Sequence, residues 1–288
     1  MTSISGTPDH SAHALSFAGV ADAYDRARPS YPREAAGWLT GPHPVRVLEL
    51  GAGTGKLTGE LLALGHEVIA TDPLPEMLHR LRDHHPDCPT AVATAEAIPL
   101  PARSVDVVVS AQAFHWFDVE RALPEIARVL RPGGRLALAW NLRDERIPWV
   151  RRLGALLDTQ EQDTDPTQLL VASQWFGFVE TSTFRFWQPL DPGRLRDLVL
   201  SRSSVAVKPA AERERVLEKV QAFYDDYGRG HDGMLLPYLT RCFASTVRAP
   251  ALEEPPAPRP GGSRTDRGPQ PVEPPREDGS GSLLIDFS

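Results

Sequence analysis

Between Val45 and Ala139 short apolar runs alternate with stretches of helical periodicity, the pattern from which βαβ units and a parallel sheet are built. Strands are predicted at Val45 to Leu50, Glu67 to Thr71, Val105 to Ser110 and Arg135 to Trp140. Val107, Val108 and Val109 form an unbroken β-branched run, as expected of a strand covered on both faces by helices. Leu57, Leu61 and Leu64 share one helical face, as do Val119, Leu123, Ile126, Ala127 and Leu130, and a further helix is expected over Leu74 to Leu81. Arg131-Pro132-Gly133-Gly134 should stop the second of these and turn the chain into the next strand. After Trp140 the rhythm changes: residues 145 to 163 and 191 to 227 look helical, whereas Phe178 to Trp187 and Leu235 to Phe243 have strand character. The order predicts a late antiparallel pair at the sheet edge, interrupted by a helical insertion placed to cover a pocket.

Composition narrows the function classes. In 288 residues with 41% hydrophobic content there is room for one large or two small domains with a sizeable core. A formal charge of -7 provides no overall positive field for a polyanion, so nucleic acid is not the expected partner. Cys88 and Cys242 sit in no C-x-x-C pair, which indicates neither a disulfide framework nor a zinc site, and no metal is expected. No basic segment leading into an apolar block opens the chain, and nowhere do eighteen apolar residues run together. The sequence therefore reads as a soluble, cytoplasmic protein that does not engage a membrane. From Pro250 to about Pro275 the chain is rich in Pro, Gly, Arg and Glu, and residues 250 to 288 are expected to be a disordered tail.

The informative stretch is Val47-Leu48-Glu49-Leu50-Gly51-Ala52-Gly53-Thr54-Gly55-Lys56-Leu57-Thr58, an apolar strand that enters alternating glycines and then a helix. Glycines at such a turn let the backbone bend sharply and let a ligand approach with no Cβ in the way. A Walker A loop is excluded, because Leu50 stands where its first glycine belongs and Leu57 follows Lys56. A dinucleotide fingerprint also fails, since its third glycine would fall on Lys56. What remains, Glu-x-Gly-x-Gly-x-Gly, resembles motif I of the class I methyltransferases. Asp72 ends the second predicted strand about twenty residues on, where a carboxylate can accept both hydroxyls of a ribose; a helix N-cap is its other reading. Ala95-Glu96 precedes Ile98-Pro99-Leu100-Pro101, and Asp106 opens the strand that ends in Ser110-Ala111-Gln112-Ala113-Phe114-His115-Trp116. That end is the carboxyl edge, where open α/β sheets bind ligands.

Together these motifs resemble the class I S-adenosylmethionine-dependent methyltransferases, in the broad group that includes the quinone-biosynthesis and trans-aconitate-type enzymes. The resemblance runs from about Phe17 to Thr246 and is most specific from Val47 to Trp140. It implies a Rossmann-like α/β sheet with helices on both faces and S-adenosyl-L-methionine as cofactor. It also implies an amino-terminal lid in residues 1 to 40, a cofactor-binding core in 41 to 144, and the insertion and closing strands in 145 to 249. The lid resemblance centres on Tyr24-Asp25-Arg26-Ala27-Arg28-Pro29-Ser30-Tyr31-Pro32. Residue by residue, Glu49, Gly51 and Gly53 would line the methionine end of the cofactor, Asp72 and Met77 its ribose and adenine, and Ala95 and Glu96 the adenine edge. Gln112 would lie near the methionine portion and the reacting sulfur.

A sulfonium methyl group is already activated, so its transfer needs mainly an in-line nucleophile and a dry site; orientation can contribute about 7 to 11 kcal/mol. Phe114, Trp116 or Tyr24 could face the cationic cofactor or simply pack in the core. His115 is the candidate general base, with a structural or orienting histidine as the alternative. His79, His84 and His85 read as solvated. Arg194, Arg196 and Arg202 either hold an acceptor carboxylate or form a polar helix face. The expected activity is methyl transfer to a small-molecule acceptor through O, N or C. The alternatives are a catalytically silent S-adenosylmethionine-binding protein and an NAD-dependent oxidoreductase, the latter disfavoured by Lys56 and by the lack of a Tyr-x-x-x-Lys pair.

Overall fold

The computed structural model describes residue 25 and residues 28–157, 165–200, 205, 208–227 and 233–248. The expected tail at 250–288, Tyr24 of the lid and Arg202 lie outside the described residues.

Strands β1 (Arg46–Leu50), β2 (Glu67–Asp72), β3 (Thr90–Val92), β4 (Val105–Ala111) and β5 (Leu130–Arg143) precede a final pair, β6 (Phe176–Leu190) and β7 (Met234–Val247). The seven lie in one sheet in the order β3-β2-β1-β4-β5-β7-β6. The first five run parallel, and β7 enters antiparallel between β5 and β6. A dinucleotide-binding sheet carries six parallel strands in the order 3-2-1-4-5-6; the antiparallel β7 distinguishes this one. The expected antiparallel pair at the edge is present. β3 was not legible in the sequence pattern.

Two apolar layers enclose the parallel strands. On one face Val47, Val107, Val109, Ala137 and Ala139 pack with Leu39 of α1 (Arg33–Thr40), Leu57 and Leu61 of α2 (Lys56–Ala63), and Leu78 and Leu81 of α3 (Pro75–His84). On the other, Leu48, Leu50, Val108, Leu136 and Leu138 pack with Leu123 and Ile126 of α4 (Val119–Val129). Val108 and Val109 are both fully buried although they point to opposite faces, which is why that run shows no apolar/polar alternation.

The helix stop needs one correction. α4 ends at Val129, but Leu130 already pairs with Val105, and the register then shifts so that Arg135 meets Val107. Arg131 to Gly134 thus form an irregularity within β5, exposed from Arg131 to Gly133 and buried at Gly134, with Gly133 at φ 79°. The insertion comprises α5 (Pro148–Leu156), α6 (Thr167–Ala172), α7 (Pro192–Leu200) and α8 (Ala210–Tyr227). Leu153, Leu198, Val220 and Phe223 from α5, α7 and α8 form a separate apolar cluster with Leu190, Leu236 and Tyr238. Because Tyr238 pairs with Arg143 at the end of β5, this cluster builds up the carboxyl end of the sheet.

Candidate cofactor and acceptor site

The turns that leave β1, β2 and β4 meet at the carboxyl edge. Gly51, Gly53 and Gly55 all adopt left-handed backbone, with φ of 68°, 58° and 87°. The glycine turn is fixed to its neighbour by the Ala52 N–H, which donates to the Thr71 carbonyl at 3.0 Å. A Cβ on Gly51 would collide with the methyl group of Ala113, so the turn lies directly against the segment after β4. At Gly53 the same atom would meet nothing within 4 Å. The backbone is therefore bare toward an open space, as a ligand that approaches the main chain requires.

Asp72, at the end of β2, is tied to that turn. One carboxylate oxygen accepts the Gly53 N–H and the other the Leu74 N–H, each at 2.9 Å. Burial raises its pKa, and those two N–H groups oppose the rise. The N-cap of α3 is Leu74, with no side-chain cap, so Asp72 is not the cap itself: it organises the glycine turn and holds the residue before α3, while each oxygen keeps acceptor capacity for a further hydroxyl. Met77 is buried in the first turns of α3.

Glu49 is almost wholly enclosed, 1% exposed on β1. The Thr58 hydroxyl donates to Oε2 at 2.6 Å. Burial pushes its pKa up to about 8; the Thr58 hydrogen bond opposes that shift and the nearby Asp72 charge adds to it. At neutral pH the enclosed carboxyl is largely protonated, and a cation beside it would favour ionisation. Ala95 is buried, whereas the Glu96 carboxylate accepts the Asp118 N–H at 2.8 Å and so ties the loop after β3 to the start of α4.

After β4 the chain turns through Gln112, a non-glycine residue at φ 58°. Such backbone is costly and persists only when its surroundings hold it. Here the Gln112 N–H donates to the Ala139 carbonyl at 2.9 Å, and its side-chain amide donates to the Asn141 carbonyl at 2.8 Å. Phe114 begins a short 3₁₀ turn and is a core residue, edge-on to Trp140 at 6.5 Å. Trp116, at 41% exposure, is the ring open to the edge. His115 lies against it with centroids 4.8 Å apart. His115 is itself an exposed residue; partial desolvation of its ring lowers its pKa below the ordinary histidine value, the direction that favours the neutral form a general base needs.

Asn141 was not singled out by the sequence. It is buried, its Oδ1 accepts the Thr240 hydroxyl at 2.6 Å, and its Nδ2 donates to the Ser30 carbonyl at 3.1 Å. A polar residue that directly follows the apolar run Leu136 to Trp140 was the available signal. The arginines of α7 are elsewhere: Arg194 pairs with Asp191 at 3.7 Å and Arg196 with Glu214 at 3.8 Å, both on exposed helix surface. They form a polar helix face. Asp106 is likewise structural, since its carboxylate accepts the Arg46 N–H at 3.0 Å and pairs with Arg131 at 2.7 Å. His79 is exposed as expected, 3.9 Å from Asp83 on the same helix face, but the less exposed His84 pairs across the fold with Asp25 at 2.9 Å. His85 packs so closely on α2 that a Cβ at Gly59 would lie 3.0 Å from its ring.

Known proteins share this architecture. Residues 48–138 match the Methyltransferase domain family. An uncharacterized methyltransferase of Mycobacterium tuberculosis is 46% identical over 237 residues, which span 81% of this chain and 96% of that one. A malonyl-[acyl-carrier protein] O-methyltransferase of Methylococcus capsulatus is 39% identical over 159 residues, covering 50% of this chain and 58% of that protein. Among solved structures, a chain from Anaeromyxobacter dehalogenans assigned to the type II methyltransferases superposes with a TM-score of 0.56 at 26% identity, over 77% of this chain and 97% of its own. Among the described residues no helix is long and apolar enough to cross a membrane. The chain belongs to the class I S-adenosylmethionine-dependent methyltransferases.

Proposed function

We propose that this enzyme methylates a small acidic or phenolic molecule, through an oxygen, nitrogen or carbon nucleophile, at the edge between the glycine turn and His115. The observation that carries the reading is the Asp72 carboxylate, fixed by two backbone N–H groups beside the bare backbone of Gly53. In this assignment Glu49, Gly51 and Gly53 hold the methionine end of S-adenosylmethionine, Asp72 and Met77 its ribose and adenine, and Ala95 and Glu96 the adenine edge. Gln112 shapes the wall near the sulfur. When bound, the cofactor supplies an electrophilic methyl group, so the protein's own residues need only orient the acceptor, exclude water and remove a proton. Where the nucleophile carries a proton, as a phenol or an amine does, His115, next to the exposed Trp116, takes it; an ionised carboxylate has none to give up and needs only to be oriented.

The match to a malonyl-[acyl-carrier protein] O-methyltransferase supports a carboxylate oxygen among the candidate nucleophiles, and such an acceptor fits the quinone-biosynthesis and trans-aconitate-type group. Incubation with methyl-labelled cofactor and a fractionated pool of small metabolites should transfer label to a discrete product. Absence of any labelled product, with S-adenosylhomocysteine still bound tightly, would overturn the reading. With an acceptor in hand, His115→Ala should lower turnover about 10²-fold and leave cofactor affinity unchanged. If turnover is unaffected, or cofactor binding collapses, His115 is not the base.

A further inference from the structure

Asp25 makes a contact that none of the site's assigned roles explains. Its carboxylate lies 3.0 Å from the Lys56 ammonium through one oxygen and 2.9 Å from His84 Nε2 through the other. Because a carboxylate only accepts, His84 donates through Nε2. The Asp25 side chain is 18% exposed, against 31% for Lys56 and 49% for His84. Ion pairs of this enclosure hold better than open surface pairs. Burial opposes the Asp25 charge, yet Lys56, the Thr54 hydroxyl and His84 together keep its pKa below the usual carboxylate value.

The three residues come from three separate parts of the chain. Lys56 is the first residue of α2, directly after the left-handed Gly55, and His84 is the last of α3. α3 is also the wall behind the glycine turn: a Cβ on Gly55 would lie 2.9 Å from Leu81 and 3.2 Å from the His85 ring. A single carboxylate that grips the start of α2 and the end of α3 therefore presses the turn against its support. The same segment continues along α2. The Ser30 hydroxyl is within hydrogen-bond range of the Lys56 carbonyl at 3.2 Å and of the Glu60 carboxylate at 3.0 Å, and Arg33 donates to the Ala63 carbonyl at 3.2 Å. At its other side the Ser30 carbonyl accepts from Asn141 at the end of β5.

We infer that Asp25 is a positioning residue, which clamps the glycine turn between α2 and α3 and so presets the backbone that receives S-adenosylmethionine. This rests on the placement of the cofactor at that turn, and it does not depend on the acceptor. The clamp raises cofactor affinity by removing the need to order the turn on binding, the general benefit of a preorganised site.

The test uses the full-length protein and S-adenosylhomocysteine, with binding read by calorimetry and folding by the melting temperature of the ligand-free protein. Asp25→Asn should weaken binding roughly 5- to 30-fold, the range of a partly enclosed charge-assisted contact. Its melting temperature should change by no more than about 2 °C, because other contacts hold the helices. Lys56→Met should give a loss of the same order, and the double variant should lose no more than the larger single loss, since both changes remove one clamp. Wild-type affinity in Asp25→Asn overturns the proposal. Fully additive losses overturn it too, as does a loss accompanied by a drop in melting temperature of more than about 5 °C, which would mark a general structural role. Turnover is not measured, so an error in the acceptor assignment leaves these outcomes unchanged.

Discussion

Asp72→Ala is expected to weaken S-adenosylhomocysteine binding roughly 10- to 150-fold and, at the same time, to destabilise the fold by about 1 to 3 kcal/mol. The two effects have separate origins. Removal of the carboxylate strips acceptors from the part-buried Gly53 and Leu74 N–H groups, and donors left without their partner cost stability whether or not a ligand binds. The loss of affinity comes from the remaining acceptor capacity of the two oxygens, which the assignment directs to the ribose hydroxyls. A stability loss alone therefore cannot assign the residue. The decisive comparison pairs S-adenosylhomocysteine with its analogue that lacks both ribose hydroxyls. The unmutated protein should bind the analogue much more weakly, while Asp72→Ala should scarcely distinguish the two ligands, as a double-mutant cycle between residue and ligand requires. Equal loss for both ligands would confine Asp72 to a structural role in the turn.

That dual role shows how far the chain could be read in advance. The glycine turn and the strand-end carboxylate were visible because both are local: alternating glycines after an apolar strand, and an acid at the end of the next. Sequence reasoning set the ribose and N-cap readings of Asp72 against each other, whereas the folded chain uses its carboxylate to fix both the glycine turn and the entry to α3. The strands of the core were visible for the same local reason. β3 was not, since Thr90–Val92 spans 3 residues with Val92 exposed, too short for any periodicity to register.

What escaped the sequence depends on contacts between distant segments. Asp25 and His84 are 59 positions apart, and each taken alone resembles a solvated polar residue. His85 likewise reads as polar surface until α3 is seen to lie against α2, where the absence of side chains at Gly55 and Gly59 makes room for its ring. Gln112 was placed correctly after β4, but its left-handed backbone gives no signal in a residue type with no preference for it. Arg131 to Gly134 mark the helix end correctly and the strand start too late, because turn chemistry reports where a helix stops and not where pairing begins.

Glu49→Gln is expected to make the free protein more stable at high pH while weakening its hold on the cofactor. Glu49 is enclosed and its pKa is pushed up to about 8, chiefly by burial, against about 4.3 in an unfolded chain. A carboxyl whose pKa is higher in the folded state contributes stability that is fully present below the unfolded value and is lost as pH rises through the folded one. Wild-type stability should therefore decline between about pH 4.5 and 8, in the part of the curve this residue controls. Glutamine keeps the shape of the protonated acid and an oxygen to accept the Thr58 hydroxyl, so it should match wild type near pH 4 and exceed it by several kcal/mol, on the order of 5, at pH 9. Binding should move in the opposite direction. A cationic methionine end beside Glu49 favours the carboxylate, so cofactor binding at pH 7 should expel up to about one proton, visible as a dependence of calorimetric heat on the ionisation enthalpy of the buffer. Glu49→Gln should abolish that release and lower affinity roughly 10- to 100-fold. If wild type binds with no proton release, or if the variant is the less stable protein at pH 9, Glu49 is not the buried acid that answers to the cofactor's charge.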